Sequence, residues 1–279
     1  MPEGDTIFRA ARALNQALAG RTVTRFESVF PRLTRVDVDR PLRGRTIERV
    51  ASRGKHLLIW FSGGLVLRTH MRMNGSWHIY RSGERWRRGR HDMRIVIATD
   101  AYEAVAFTVP IAEFVASTDL EREMAGVGPD PLDERFDAAD AVARLRARGD
   151  MDVADALLDQ SAIAGIGNVY KSEILFAGGV HPFARVDELS AATLDRLVAI
   201  AVKFMRANVV DGTSAAIVTY TGFRRTNGWA DPSARLWVYG RGGKPCRRCG
   251  TPIASAKQGP HARSTYWCEN CQPRNSFKP

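Results

Sequence analysis

The hydrophobic and polar positions of this 279-residue chain change their period twice, and the changes divide it. The opening stretch GDTIFRAARALNQALAG repeats its apolar residues every three to four positions. Ile7, Phe8, Ala11, Leu14 and Leu18 then share one helical face, with Asp5 as the expected cap and Gly20 as the stop. From about residue 21 to 117 the period falls to two, in short runs such as RTVTRFESV, TIERVASR, KHLLIWF, GLVLRTHM, SWHIYR, MRIVIATD and EAVAFTV. Gly, Asp and Asn turns separate these runs, and about seven strands at that spacing predict a sandwich or barrel. Helical spacing then returns over about 137–147, 152–160, 168–177 and 190–208. Ser190 is placed to cap the last, and Leu194, Leu197, Ala201, Phe204 and Met205 to line its buried side.

These changes set the expected organisation. Residues 1–118 form a β-rich domain, 119–135 (with GVGPDPLDERFD across its end) a linker, 136–235 a helical domain, and 236–279 a small cysteine-bearing unit. Residues 211–235, rich in Gly, Thr and Arg, read as a loop.

Charge narrows the partners. The formal net charge is +11, which suits a polyanion, with nucleic acid the first candidate. No apolar run of eighteen residues and no basic amphipathic helix points to a membrane. The start carries Glu3 and Asp5 and lacks the pattern of a secretion signal, so a cytoplasmic, nucleoid-associated protein is expected.

The four cysteines, Cys246, Cys249, Cys268 and Cys271, follow the spacing C-x2-C-x18-C-x2-C. Each pair can present two thiolates to one ion, and four complete the tetrahedral shell that Zn²⁺ prefers. One structural zinc is expected, with a β-hairpin between the pairs. A unit this small would draw folding energy from the metal. Eight cations against Glu269 make residues 236–279 strongly basic, as a phosphate-binding hairpin would be.

Two further stretches suggest chemistry. Gly165-Ile166-Gly167-Asn168 lies directly before a helix, where glycines admit close approach and the free N–H groups of the first turn face an anion. Pro2 follows the initiator, so removal of Met1 would leave a secondary amine beside the Glu3 carboxylate.

The start PEG, the lysine in RGKHLLI, the stretch VGPDPL, the run LLDQSAIAGIGNVYKSEILF and the terminal ARSTYWCENCQ occur in order along essentially the whole chain. Together they resemble the formamidopyrimidine-DNA glycosylase/endonuclease VIII family. The resemblance implies an α+β, bilobal fold. An N-terminal β-sandwich with flanking helices is joined to a helical domain with a helix–two-turn–helix motif and a zinc finger, and damaged double-stranded DNA lies between them. It implies a monomeric, bifunctional base-excision-repair enzyme, a DNA glycosylase and an AP lyase that cuts the strand by β,δ-elimination.

By position it makes Pro2 the Schiff-base nucleophile, Glu3 the acid/base and Lys55 a phosphate contact that assists catalysis. Asn168, with Gly167 beside it, and Arg263 would anchor phosphates around the flipped nucleotide. Arg72, Met73 and Asn74 would fill the hole it leaves, with Met73 as the wedge. A core methionine is the plainer reading of Met73, because Met71 and Met73 alternate.

The sequence departs from the family pattern at three places. Thr6 stands where many members carry a glutamate, and Asp5 is a possible substitute. VPIAEFV lacks the arginines of the oxidised-purine branch's void-filling loop, and PEG replaces PEL. Both point to the endonuclease VIII branch and oxidised pyrimidines. The stretch VTYTGFRRTNGWADPSARLW, with Arg224 and Arg225, falls where a base-capping loop would lie. An oxidised-purine glycosylase and a non-catalytic zinc-finger nucleic-acid-binding protein are the alternatives. The arginine-rich segment 81–94 reads as a solvated hairpin with a possible phosphate contact.

Overall fold

The computed structural model describes residues 2–210, 219 and 235–274. The chain divides into two compact units, Met1–Gly126 and Val127–Pro279.

The first unit opens with helix α1 (Gly4–Leu18). Ile7, Ala11, Leu14 and Leu18 are buried as their spacing predicts, whereas Phe8 is only half-buried. Asp5 is not the cap. Glu3 holds that position in extended conformation, and Asp5 lies inside the first turn. Eight strands follow: β1 (Arg25–Ser28), β2 (Ile47–Arg53), β3 (His56–Phe61), β4 (Leu65–His70), β5 (Ser76–Arg81), β6 (Met93–Ala98), β7 (Tyr102–Phe107) and β8 (Ile111–Ala116). They form two antiparallel four-stranded sheets, ordered β1-β6-β7-β5 and β2-β3-β4-β8.

The core includes the alternate residues Leu57, Ile59 and Phe61 of β3, Leu65 and Leu67 of β4, and Ile95 and Ile97 of β6. This is the inward face that a period of two produces. Helix α1 packs along β2 and reaches β3, β5 and β7, and Asn15 Oδ1 accepts the Val50 N–H at 2.7 Å.

Two elements of this unit depart from the sequence reading. Helix α2 (Pro31–Asp39) interrupts the strands, with proline in its first turn and one fully buried side chain, Leu33. The stretch VPIAEFV is mostly the edge strand β8, paired with β4 from Ile111↔His70 to Leu65↔Ala116. The arginine-rich segment 81–94 folds back on its own sheet. Trp86 Nε1 donates to Glu103 at 3.0 Å, and Arg88 reaches Ser76 and Asp92 at 3.2 and 3.3 Å. A short helix α3 (Leu120–Glu123) closes the unit.

The second unit packs α4 (Ala138–Arg146), α5 (Val153–Leu158), α6 (Asn168–Gly178) and α7 (Ala191–Ala207) around Leu145, Leu157, Ile174, Leu197 and Ala201. Asp137 caps α4, accepting from the N–H groups of Ala139 and Asp140. Ser190 caps α7, accepting from Thr193 N–H. Strands β9 (Ala254–Gln258) and β10 (Arg263–Trp267) form an antiparallel hairpin. Most of the expected 211–235 loop, with Arg224 and Arg225, lies outside the described residues, as does Met1.

Candidate functional site

In the first unit, the candidate groups lie at a helix start and at two strand ends. Pro2 is half-buried, and Glu3 and Asp5 are fully buried. Burial raises the Asp5 carboxyl above its ordinary range, and Arg9, at 3.1 Å one turn on, offsets only part of that rise. Lys55 sits in the two-residue turn between β2 and β3, where Gly54 takes a left-handed φ of 58°.

The register of the hairpin places His56 opposite His70, with the rings edge-on at 5.1 Å. Both imidazoles are lowered to about 4. Burial is the chief cause, followed for His56 by His70 and Arg68 and for His70 by Arg72 and Lys55. The pair is therefore neutral at pH 7, and the positive charge here belongs to Lys55 and the arginines.

The Arg72–Asn74 turn follows β4 at this same end. It is tightly built: Gly75 N–H bonds Met71 O at 2.9 Å, and His70 Nδ1 accepts from Arg72 N–H at 3.0 Å. Arg72 carries a left-handed φ of 49°. A β-carbon on Gly75 would fall 2.5 Å from Met71 O, so only glycine fits. Asn74 O accepts the Thr108 hydroxyl at 2.6 Å. The two methionines separate cleanly. Met71 is in the core, and Met73 is 61% exposed, which removes the core reading of Met73.

In the second unit, Gly165 (φ 85°) and Gly167 lead into α6, with Gly167 at the cap position. Asn168 is buried. Its Nδ2 donates to Ser264 O at 2.7 Å, while its Oδ1 has no hydrogen-bond partner among the described residues. Asn168 and Arg263 are thus brought together, because Ser264 follows Arg263 on β10. Deeper in α6, the buried Glu173 carboxylate accepts the backbone N–H groups of Trp237, Val238 and Tyr239 at 2.8–2.9 Å, and also the Thr219 hydroxyl. Neither the histidine pair nor Glu173 was expected from the sequence, because their partners are set by long-range pairing.

The four cysteine sulfurs lie within 4.8 Å of one another. Cys249 and Cys268 are 3.4 Å apart, and Cys246 and Cys271 3.9 Å. These separations exceed an S–S bond of roughly 2.0 Å and match the edges of a tetrahedron about an ion with Zn–S bonds of about 2.3 Å. Burial raises the thiols of Cys268 and Cys271, so a cation is what would hold all four as thiolates. The residues fit one structural zinc.

An antiparallel sandwich led by a Pro-Glu start with its carboxylate buried, a Gly-Asn helix start and a four-cysteine hairpin together define one class of protein. Family models match in the same order. The formamidopyrimidine-DNA glycosylase N-terminal domain covers residues 1–110, the formamidopyrimidine-DNA glycosylase H2TH domain 127–219, and the zinc finger found in FPG and IleRS 243–274. The chain belongs to the formamidopyrimidine-DNA glycosylase family, in its endonuclease VIII-like branch.

It is 41% identical over 282 residues to the probable endonuclease 8 2 of Streptomyces coelicolor, covering 100% of this chain and 96% of that one. It is 40% identical over 273 residues to the DNA-(apurinic or apyrimidinic site) lyase Nei2 of Mycolicibacterium smegmatis, covering 98% and 99%. In fold it resembles Lactococcus lactis formamidopyrimidine-DNA glycosylase bound to AP-site-containing DNA. The TM-score is 0.80 at 22% identity, over 97% of this chain and 99% of that one. Among the described residues, no helix is long and apolar enough to cross a membrane.

Proposed function

We propose that the chain is a bifunctional DNA glycosylase and AP lyase of base excision repair, working through a Schiff base on Pro2 and favouring oxidised pyrimidines. The observation that carries the reading is the Pro2–Glu3 start of α1, with a fully buried carboxylate directly after the proline. Once Met1 is removed, the Pro2 nitrogen is a secondary amine. An α-amino group has a pKa of about 7.7–8.0 against roughly 10.4 for lysine, so its neutral fraction at pH 7 is several hundredfold larger. In this reading Lys55 is the cation that offsets the extra basicity of proline.

The neutral amine attacks C1′ of the deoxyribose, the bond to the damaged base breaks with its electron pair, and after loss of the amine proton the C1′–O4′ bond opens to leave the iminium. Glu3 carries protons at the opening sugar. The product is an iminium with no N–H to lose, so its positive charge persists as an electron sink. Loss of a C2′ proton then expels the 3′ phosphate, and a second elimination expels the 5′ phosphate.

The target nucleotide must leave the stack, at a cost of a few kcal/mol. Asn168, at the N–H-rich start of α6, and Arg263 would grip the flanking phosphates, and Lys55 a further one. Met73, exposed on its rigid turn, would fill the gap with Arg72 and Asn74 beside it. When bound, zinc holds the thiolates together and thereby the hairpin that carries Arg263. The pyrimidine preference is supported by the endonuclease 8 relatives and by a β8 segment without arginines.

Borohydride reduction in the presence of abasic-site DNA tests the central step. A covalent adduct mapping to Pro2 is expected, and Met1-free protein that forms none would refute the lyase mechanism. Competing lesion duplexes test the branch, where faster excision of oxidised guanine would reverse the preference.

A further inference from the structure

Helix α6 buries a lysine that the proposed chemistry does not use. Lys171 is fully buried, and its Nζ donates to Thr265 Oγ1 on β10 at 2.7 Å. The Thr265 hydroxyl donates in turn to Gln258 Oε1 on β9 at 2.9 Å. Gln258 Nε2 donates to Asp152 Oδ2 at 2.9 Å and to Pro182 O at 3.0 Å. A polar chain therefore runs from the middle of α6 through both strands of the hairpin and back to the helical layer.

The spacing of the residues gives this chain a direction. Positions 168 and 171 share one face of α6, and that face meets β10, through Asn168 at Ser264 O and through Lys171 at Thr265. Arg263 and Thr265 are two residues apart on a strand, so their side chains leave the same side of the hairpin. The tip packs closely as well: a β-carbon on Gly259 would lie 2.4 Å from Asp155 Oδ1. The Asp155 carboxyl is raised by burial, with Lys171 the largest opposing influence and Arg263 a smaller one, so all three charges share this region.

Burying an ammonium carries a large desolvation penalty, which apolar packing of α6 on β10 would avoid. What the ammonium supplies is a directional, charge-assisted bond. We propose that Lys171 is a positioning residue that fixes the β9–β10 hairpin on α6, so that Arg263 is aimed beside Asn168 at the phosphodiester backbone of DNA. This rests on the reading of Arg263 as a phosphate anchor.

The test is a double-mutant cycle on full-length, zinc-loaded protein, measuring Kd by anisotropy for a duplex with a tetrahydrofuran abasic site. Arg263→Ala should weaken binding at least about tenfold and lower the salt slope by about 0.9, the share of one phosphate. Lys171→Met should weaken binding at least about fivefold with the same fall in slope, although its side chain is buried. The double variant should stay within about twofold of Arg263→Ala alone.

Thr265→Val removes the acceptor while keeping the shape. It should repeat the Lys171→Met result, and it carries the test if Lys171→Met fails to fold or to retain one zinc. An unchanged Kd in the variant that carries the test, or an effect that multiplies fully with Arg263→Ala, overturns the positioning role and leaves the anchor standing. An unchanged Kd in Arg263→Ala instead overturns the anchor itself, and this inference with it.

Discussion

Helices α1 and α6 both begin at candidate chemistry and both bury polar side chains, but for different ends. At α1 the buried groups are the carboxylates Glu3 and Asp5, within three residues of the Pro2 nitrogen. At α6 they are Asn168, Lys171, Ser172 and Glu173, and the contacts of Asn168, Lys171 and Glu173 reach segments 46 to 96 residues away. In the proposed mechanism the first helix start handles protons, whereas the side chains of the second hold other chain segments still. The contrast teaches that a buried charge is not by itself a sign of catalysis, since Glu173 spends its oxygens on three backbone N–H groups and a hydroxyl.

The sharpest way to break this contrast is Glu3→Gln. Single-turnover base excision should fall by about 10²–10⁴, the range of general acid–base assistance. Affinity for abasic duplex should stay within about threefold. A large loss of affinity would move Glu3 into the structural class with Glu173.

Zinc removal tests the other side. Chelation should melt the β9–β10 hairpin, because the metal supplies roughly 10–16 kcal/mol in isolated zinc-finger peptides. Calorimetry should show the transition of residues 1–126 retained while DNA affinity collapses. Loss of both transitions together would deny the two units separate cores.

The last test concerns the histidine pair. Its folded values, about 4, lie below the ordinary 6.5. The stabilisation is therefore complete above pH 6.5 and lost as the pH falls from 6.5 through 4. Urea midpoints of the first unit should drop across that window, and His56→Phe should shallow the drop. A flat profile in the wild-type chain would show that the pair is solvated.

Much of this architecture was legible because it rests on local rules. The cysteine spacing needed only four thiolates within reach of one ion, and the Ser190 cap and α7 face followed from helical period. Helix α2 escaped because its apolar stripe reduces to Leu33, and β8 because Pro110 and an exposed Ile111 disguise an edge strand. Asp5 falls inside the first turn because the backbone is already helical at Gly4, which puts Glu3, two residues earlier, at the cap position. The His56–His70 pair and the Lys171–Thr265 bond could not be seen at all. The first depends on the register of the β3–β4 hairpin and the second on a contact across 94 residues, and no local periodicity encodes either.

The β3–β4 hairpin has a consequence for how this chain can diverge. Its bend runs through Gly63 and Gly64, both left-handed at 80° and 70°, five residue pairs from His56↔His70. Inserting or deleting one residue at that remote bend would leave a plausible sheet but swap inward for outward positions along one strand. The histidines would lose each other, and Lys55 would lose its alignment with the turn beyond β4. Natural variation should therefore be scarcer at this far bend than its distance from the chemistry suggests.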